Sequence, residues 1–218
     1  MNENIYMHGI GNSSNIDSNL DYNPKGQRSS FYSILDSGEL KSRRKLGSKT
    51  SYGFNGLDYI SLCDYSKKDI YNTGSNKKYN AYSTYISGSI SICFDKDKIE
   101  DKIIVPTIVD VCTNNLSGFA YMQKLGLSND ERYSDYPDEV QVKDSLSLDN
   151  MCQITFPTHS FLDFYFYHSK STRIKKLIAE IYELQSIISY LGYDVPIYDL
   201  YTKRELNGEN IEKLLLKK

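Results

Sequence analysis

Glu139-Val140-Gln141-Val142-Lys143 reads as a β-strand, because charged or polar side chains alternate with valine at the period of a pleated chain. The alternation predicts Val140 and Val142 on the buried face and Glu139, Gln141 and Lys143 on the other. The preceding Ser134-Asp135-Tyr136-Pro137-Asp138 reads as a loop that holds the Glu139 carboxylate at a strand start. A glutamate on the solvent face of a strand is an ordinary feature, so the strand alone assigns Glu139 no role.

Downstream of that strand, Met151 to Phe156 extends the β-rich region. Ile174, Leu177, Ile178, Ile181, Leu184, Ile188 and Leu191 then recur three or four residues apart, which predicts an amphipathic helix over 172–191 that Gly192 stops. A weaker helix is expected over 205–216. Upstream, Ile103 to Val111 suggests strand interrupted by Pro106, and Tyr121 to Leu125 a short helix. Gly88 to Phe94 alternates small polar with apolar residues, which predicts a half-buried strand. Tyr59 to Cys63 has the aromatic and β-branched content of another. Ser29 or Ser30 caps a short helix carrying Phe31, Ile34 and Leu35 on one face before Gly38. The basic segment after it, to Gly56, reads as irregular and 9–28 as a loop, while Ile5 to His8 forms a first strand. The reading is therefore α+β. No linker or repeat divides the chain, and the expected organisation is a core over 1–156 with a helical extension, 157–218, packed on the same domain.

The composition supports a buried core: 39% of the 218 residues are hydrophobic, and 20 Tyr with 8 Phe add large contact areas. Lysine and arginine number 26 against 28 aspartate and glutamate, a balance without the basic excess that binding to nucleic acid normally requires. The one basic run, Lys41, Arg43, Arg44, Lys45 and Lys49, fits either a solvated loop or a site for nucleotide phosphates. Cys63, Cys93, Cys112 and Cys152 are widely spaced, with no zinc-like pairing, and are expected to be reduced thiols with no metal. No stretch approaches the roughly 18 apolar residues of a membrane span. Met1-Asn2-Glu3-Asn4 does not open a cleavable signal. The expectation is action in the cytoplasm, or in a host cytosol reached without a cleaved signal.

His8 closes the first strand and precedes Gly9-Ile10-Gly11, where glycines let a ligand approach the backbone. An ordinary hydrogen-bonded histidine fits the same place. Ser61, Ser66, Lys67 and Tyr71 follow one another across a strand and the turn after it, and a tyrosine there can pack in the core or stack on a planar ligand.

Taken in order, a strand ending His8-Gly9, a helix ending Ile34-Leu35-Asp36-Ser37-Gly38-Glu39-Leu40, the block Gly56 to Tyr71 and the strand of Glu139 resemble the ADP-ribosyltransferase superfamily. The block is similar to the "G-x-x-Y/I-x-S/A … S-K-x-x-x-Y" segment of poly-ADP-ribose polymerases. Asp138 to Leu148 is similar to the strand pair that holds the catalytic glutamate in bacterial toxins and effectors. The resemblance covers roughly 5–156 and implies a split β-sandwich with flanking helices, NAD as co-substrate and no metal. It implies catalysis by Glu139 and NAD binding by His8, Gly9, Tyr59, Ser61, Ser66 and Tyr71, with His8 on the adenosine ribose, Gly9 on the nicotinamide amide and Tyr71 stacked on the nicotinamide. The acceptor expected is a protein rather than nucleic acid. Two positions depart from the pattern: Ile10 replaces the usual Thr after His-Gly, and Pro137 stands where arginine-modifying members carry Glu or Gln. The competing expectation is a non-catalytic interaction module that uses its Tyr-rich surface.

Overall fold

The computed structural model describes residues 1–10, 24–47, 58–68, 82, 86–104, 138–208 and 210–211. Its strands are β1 (Ile5–Ile10), β2 (Glu39–Lys41), β3 (Tyr59–Asp64), β4 (Ile90–Asp95), β5 (Ile103–Ile104), β6 (Glu139–Lys143), β7 (Ser145–Ser147), β8 (Met151–Phe156) and β9 (Ile197–Asp199). Its α-helices are α1 (Pro24–Ser37), α2 (Lys96–Ile99), α3 (Thr158–Phe164) and α4 (Lys170–Tyr190). The expected helix at 121–125 and the strand beyond Ile104 lie outside the described residues.

A seven-stranded sheet runs in the order β5-β6-β3-β1-β4-β8-β9, and β2 pairs with β7 in a second, small sheet. Neighbours in the large sheet are antiparallel, except for the parallel pair β8 and β9. Cross-strand partners put their side chains on one face, so the register sorts the sheet into two faces. Tyr6, Ile10, Ile60, Leu62, Ile90, Ile92, Phe94, Val140 and Val142 belong to the larger core, together with Phe31 and Leu35 of α1 and Leu177, Ile181, Leu184 and Ile188 of α4. Ile5, Met7, Cys63 and Cys93 belong to a smaller cluster with Tyr65, Ile86 and Leu200.

Local chemistry explains the boundaries. Pro24 opens α1, where its missing N–H costs nothing, so the helix starts inside the stretch that reads as a loop. Gly38 ends it at φ +72, a left-handed conformation that glycine adopts without strain. The chain then turns directly into β2, which corrects the irregular reading of 39–41. Asp144, at φ 63, turns the chain from β6 in the large sheet to β7 in the small one; aspartate tolerates this region better than most residues. In α4, the Ser169 side chain accepts from Thr172 N, which satisfies one of the free N–H groups of the first turn. The last described stretch begins later than the periodicity suggests. Glu205 forms a bridge with Tyr198, and Asn207 Oδ1 accepts from Asn210 N at 3.0 Å to start a helical turn there.

Two burial expectations need correction. β4 is buried over Ile90–Phe94 on both faces, not half-buried. In β6 not only Val140 and Val142 but also Glu139 and Gln141 are buried, while Lys143 is exposed. The basic run is held by local partners: Lys41 with Glu39, Arg44 with Asp58, and Lys45 with Ser145. Lys49 lies outside the described residues.

Candidate active site

β3 lies between β1 and β6, which brings three segments distant in sequence side by side. Met7 stands opposite Cys63, and Cys63 opposite Glu139, with Ser61 opposite Gln141. Glu139, Gln141 and Ser61 therefore share one face. Gly9 pairs with Ser91 in β4, and Ser91 with Thr155 in β8. A row of small or polar residues thus crosses a buried sheet face, with glycine in its middle. Ser91, Gln141 and Thr155 are all fully buried, and Glu139 is 3% exposed.

Ser61 links the two ends of the expected motif. Its hydroxyl donates to Glu139 Oε1 at 2.6 Å, and its carbonyl lies 3.0 Å from His8 Nδ1. A carbonyl only accepts, so Nδ1 carries the proton in this bond and Nε2 is left as the acceptor of a neutral ring. Burial holds the His8 imidazole below its usual value, against the opposing effect of the Ser61 carbonyl. The pairing of β1 with β3 covers Tyr6 and Met7, whereas β1 pairs with β4 over the whole of Ile5–Ile10. His8 starts where the β1–β3 ladder ends. By alternation its Cβ leaves β1 on the face opposite Glu139, and the ring meets the Ser61 main chain from that side.

The lowered His8 value has a consequence for stability. A histidine that is neutral when folded binds its proton more readily when unfolded, so its contribution is complete above about pH 6.5 and is lost as pH falls below it. Urea unfolding of the wild type is expected to weaken over that acid limb, and His8→Gln to flatten it. Parallel pH profiles for the two proteins would show that His8 carries no such linkage.

Other expected residues are placed as follows. Tyr59 opens β3 and is half-buried, and Ser66 is exposed just beyond it. Ser66 donates its hydroxyl to Asp64 Oδ1 at 2.6 Å and accepts from Lys96 Nζ at 2.8 Å, so it is tied to its own turn. Burial works to raise the Asp64 carboxyl, but the hydrogen bonds and charge of Lys96, Ser66 and Lys67 outweigh it and lower the value. Tyr71 and Pro137 lie outside the described residues.

Sequence reasoning did not single out Asp138 and Gln141. Asp138, fully buried, accepts from Tyr82 N at 2.9 Å and from the Cys63 thiol at 3.4 Å. Burial, with Asp138 beside it, pushes the Cys63 thiol up, and burial raises Cys93 as well. Cys63, Cys93 and Cys152 are free thiols; Cys112 lies outside the described residues. The signal for Gln141 was its place two residues after Glu139, on the same strand face. Among the described residues no group of three or more His, Cys, Asp or Glu is arranged to hold a metal, and no helix is long and apolar enough to cross a membrane.

No family model matches the chain, and no curated protein does. Among solved structures it is similar to Thermus sp. 2.9 DarT in complex with NAD+, at 8% identity over 90% of this chain and 95% of that one, with a TM-score of 0.37. A likeness at that level leaves fold and function to be read from the geometry above.

Proposed function

We propose that this chain is an ADP-ribosyltransferase, with its catalytic core over 1–156 and 157–218 packed on the same domain, which cleaves NAD at the nicotinamide–ribose bond. The observation that carries the reading is the Ser61 hydroxyl held 2.6 Å from Glu139 Oε1, on a strand whose neighbour presents His8 and Gly9. The large sheet beside the small β2–β7 sheet is compatible with the split sandwich of that superfamily.

Breaking the bond builds positive charge on the ribose. A carboxylate fixed beside the reacting sugar then stabilises the transition state more than the ground state. Ser61 keeps the Glu139 carboxylate in one orientation. His8, whose Cβ leaves β1 on the opposite face, acts on this side only through the Ser61 carbonyl 3.0 Å from its Nδ1, while the Gly9 backbone suits the nicotinamide amide. Tyr59, Ser66 and Tyr71 complete the proposed NAD contacts, Tyr71 by stacking. The nucleophile comes from the acceptor, so the chain needs no nucleophilic triad of its own. The acceptor we propose is a protein group other than arginine, and the toxin or effector setting belongs to the same reading.

The interaction-module reading has one observation in its favour: Phe166 is 76% and Tyr167 64% exposed, and aromatic side chains are enriched at recognition surfaces. Thermal unfolding with NAD separates the two. A ligand of the native state raises the midpoint, by the equivalent of about 2.7 kcal/mol at a hundredfold excess over Kd. A midpoint unmoved at millimolar NAD would favour the module.

A further inference from the structure

Where α3 passes into α4, five ring-bearing residues stand in a row, Phe164 to His168. The N–H of Phe166 donates to the Asp163 carbonyl at 3.0 Å and that of His168 to the Tyr165 carbonyl at 2.9 Å, so the backbone closes two turns in succession. Tyr165 anchors them: it packs against the main core, its ring 5.1 Å from that of Phe161. Phe166 and Tyr167 project the other way, 76% and 64% exposed. Apolar rings exposed together, rather than singly, mark a surface that meets something. The stretch that follows supplies charge. From Pro157 to Ala179 there are four cations, Lys170, Arg173, Lys175 and Lys176, against one carboxylate, Asp163, and that one is held 2.7 Å from His159 Nδ1. Glu180 and Glu183, next in the chain, face Arg28. Among the described residues no carboxylate pairs with any of the four cations. Lys176 Nζ instead lies 4.8 Å over the Tyr165 ring, which fixes the cations beside the aromatic turn. Lys170 to Lys176 covers about 9 Å of helix, close to the Debye length of about 8 Å at physiological salt, so the four act as one positive patch. The chain as a whole carries a net charge of −2, and the patch is therefore a local excess.

We propose that the turn between α3 and α4 docks the protein on an anionic bilayer, with Phe166 and Tyr167 at the boundary of headgroups and acyl chains and the four cations among the headgroups. Apolar rings beside clustered lysine and arginine match the two terms of such binding, buried apolar area and attraction to anionic lipid. The ring geometry favours a bilayer over a single-stranded nucleic acid. Phe166 and Tyr167 meet edge to face at 84°, which makes a knob rather than successive open faces on which bases stack. No helix among the described residues is long and apolar enough to cross a membrane, and none is needed to lie at its surface. The proposal stands apart from the NAD reading of the sheet.

The whole chain is sedimented with vesicles of phosphatidylcholine, alone or mixed with phosphatidylserine. Wild type is expected to bind the mixed vesicles and to stay in solution with phosphatidylcholine alone. Lys170→Gln combined with Lys175→Gln is expected to weaken binding about thirtyfold, about fivefold for each charge, and Phe166→Ser by about tenfold. The sequence has no tryptophan, so Phe166→Trp places a fluorescent reporter in the turn. Its emission is expected to shift to the blue on the mixed vesicles and to be quenched by brominated acyl chains. Equal binding to both kinds of vesicle, binding to neither, or variants that bind like wild type would overturn the proposal. Binding of a single-stranded oligonucleotide in place of the vesicles would do the same. So would tryptophan emission that stays unshifted while the protein sediments, a result that needs no weakened variant.

Discussion

Glu139→Gln is expected to lower the rate of NAD cleavage by about two to three powers of ten while NAD still binds. The substitution keeps the shape of the side chain and removes the charge. The new amide oxygen can still accept from Ser61, whose hydroxyl lies 2.6 Å from Glu139 Oε1 in the native protein. Because the positive charge on the sugar develops only as the bond breaks, the loss falls on kcat more than on the ground-state complex. Steady-state release of nicotinamide, with NAD affinity measured separately by titration, checks both halves. A folded Glu139→Gln protein that turns over at the wild-type rate would leave this glutamate a structural strand residue.

The second large effect is on stability. Phe94 is fully buried in the main core, on a strand that pairs with β1 on one side and β8 on the other. Phe94→Ala removes a ring from a packed interior, and the cavity adds to the lost transfer energy, so the expected cost is about 3–5 kcal/mol. That is a large share of the roughly 5–15 kcal/mol that stabilises an ordinary domain. Tyr190, 89% exposed, is the control: Tyr190→Ala is expected to cost within about 0.5 kcal/mol. Urea unfolding of the two variants measures both, and equal costs would show that the β4 layer is not the core described here.

The elements easiest to read in the sequence were those whose own side chains carry a period. β6 alternates over its full length and α4 repeats its leucines and isoleucines over several turns, so the local pattern and the element formed agree. The small sheet was not legible. β2 offers one apolar residue, Leu40, between Glu39 and Lys41, and β2 becomes a strand by pairing with Ser145–Ser147, about a hundred residues away. Burial failed for a related reason. Ser91 and Gln141 read locally as residues of a wetter face, yet both are fully buried. At the site, the order of His8, Ser61 and Glu139 along the chain was legible, while their contacts depend on β3 lying between β1 and β6. Gln141 was passed over because a glutamine on an alternating strand is ordinary, and only its unpartnered oxygen inside the sheet sets it apart.

The central claim is that the face around Ser61 and Glu139 cleaves NAD, and the most direct measurement is chromatography of NAD incubated with the purified wild-type protein. Free nicotinamide is expected to accumulate with time and enzyme concentration, its ADP-ribose partner appearing free or attached to an acceptor. NAD recovered intact after prolonged incubation, with the protein folded and candidate protein acceptors present, would contradict it.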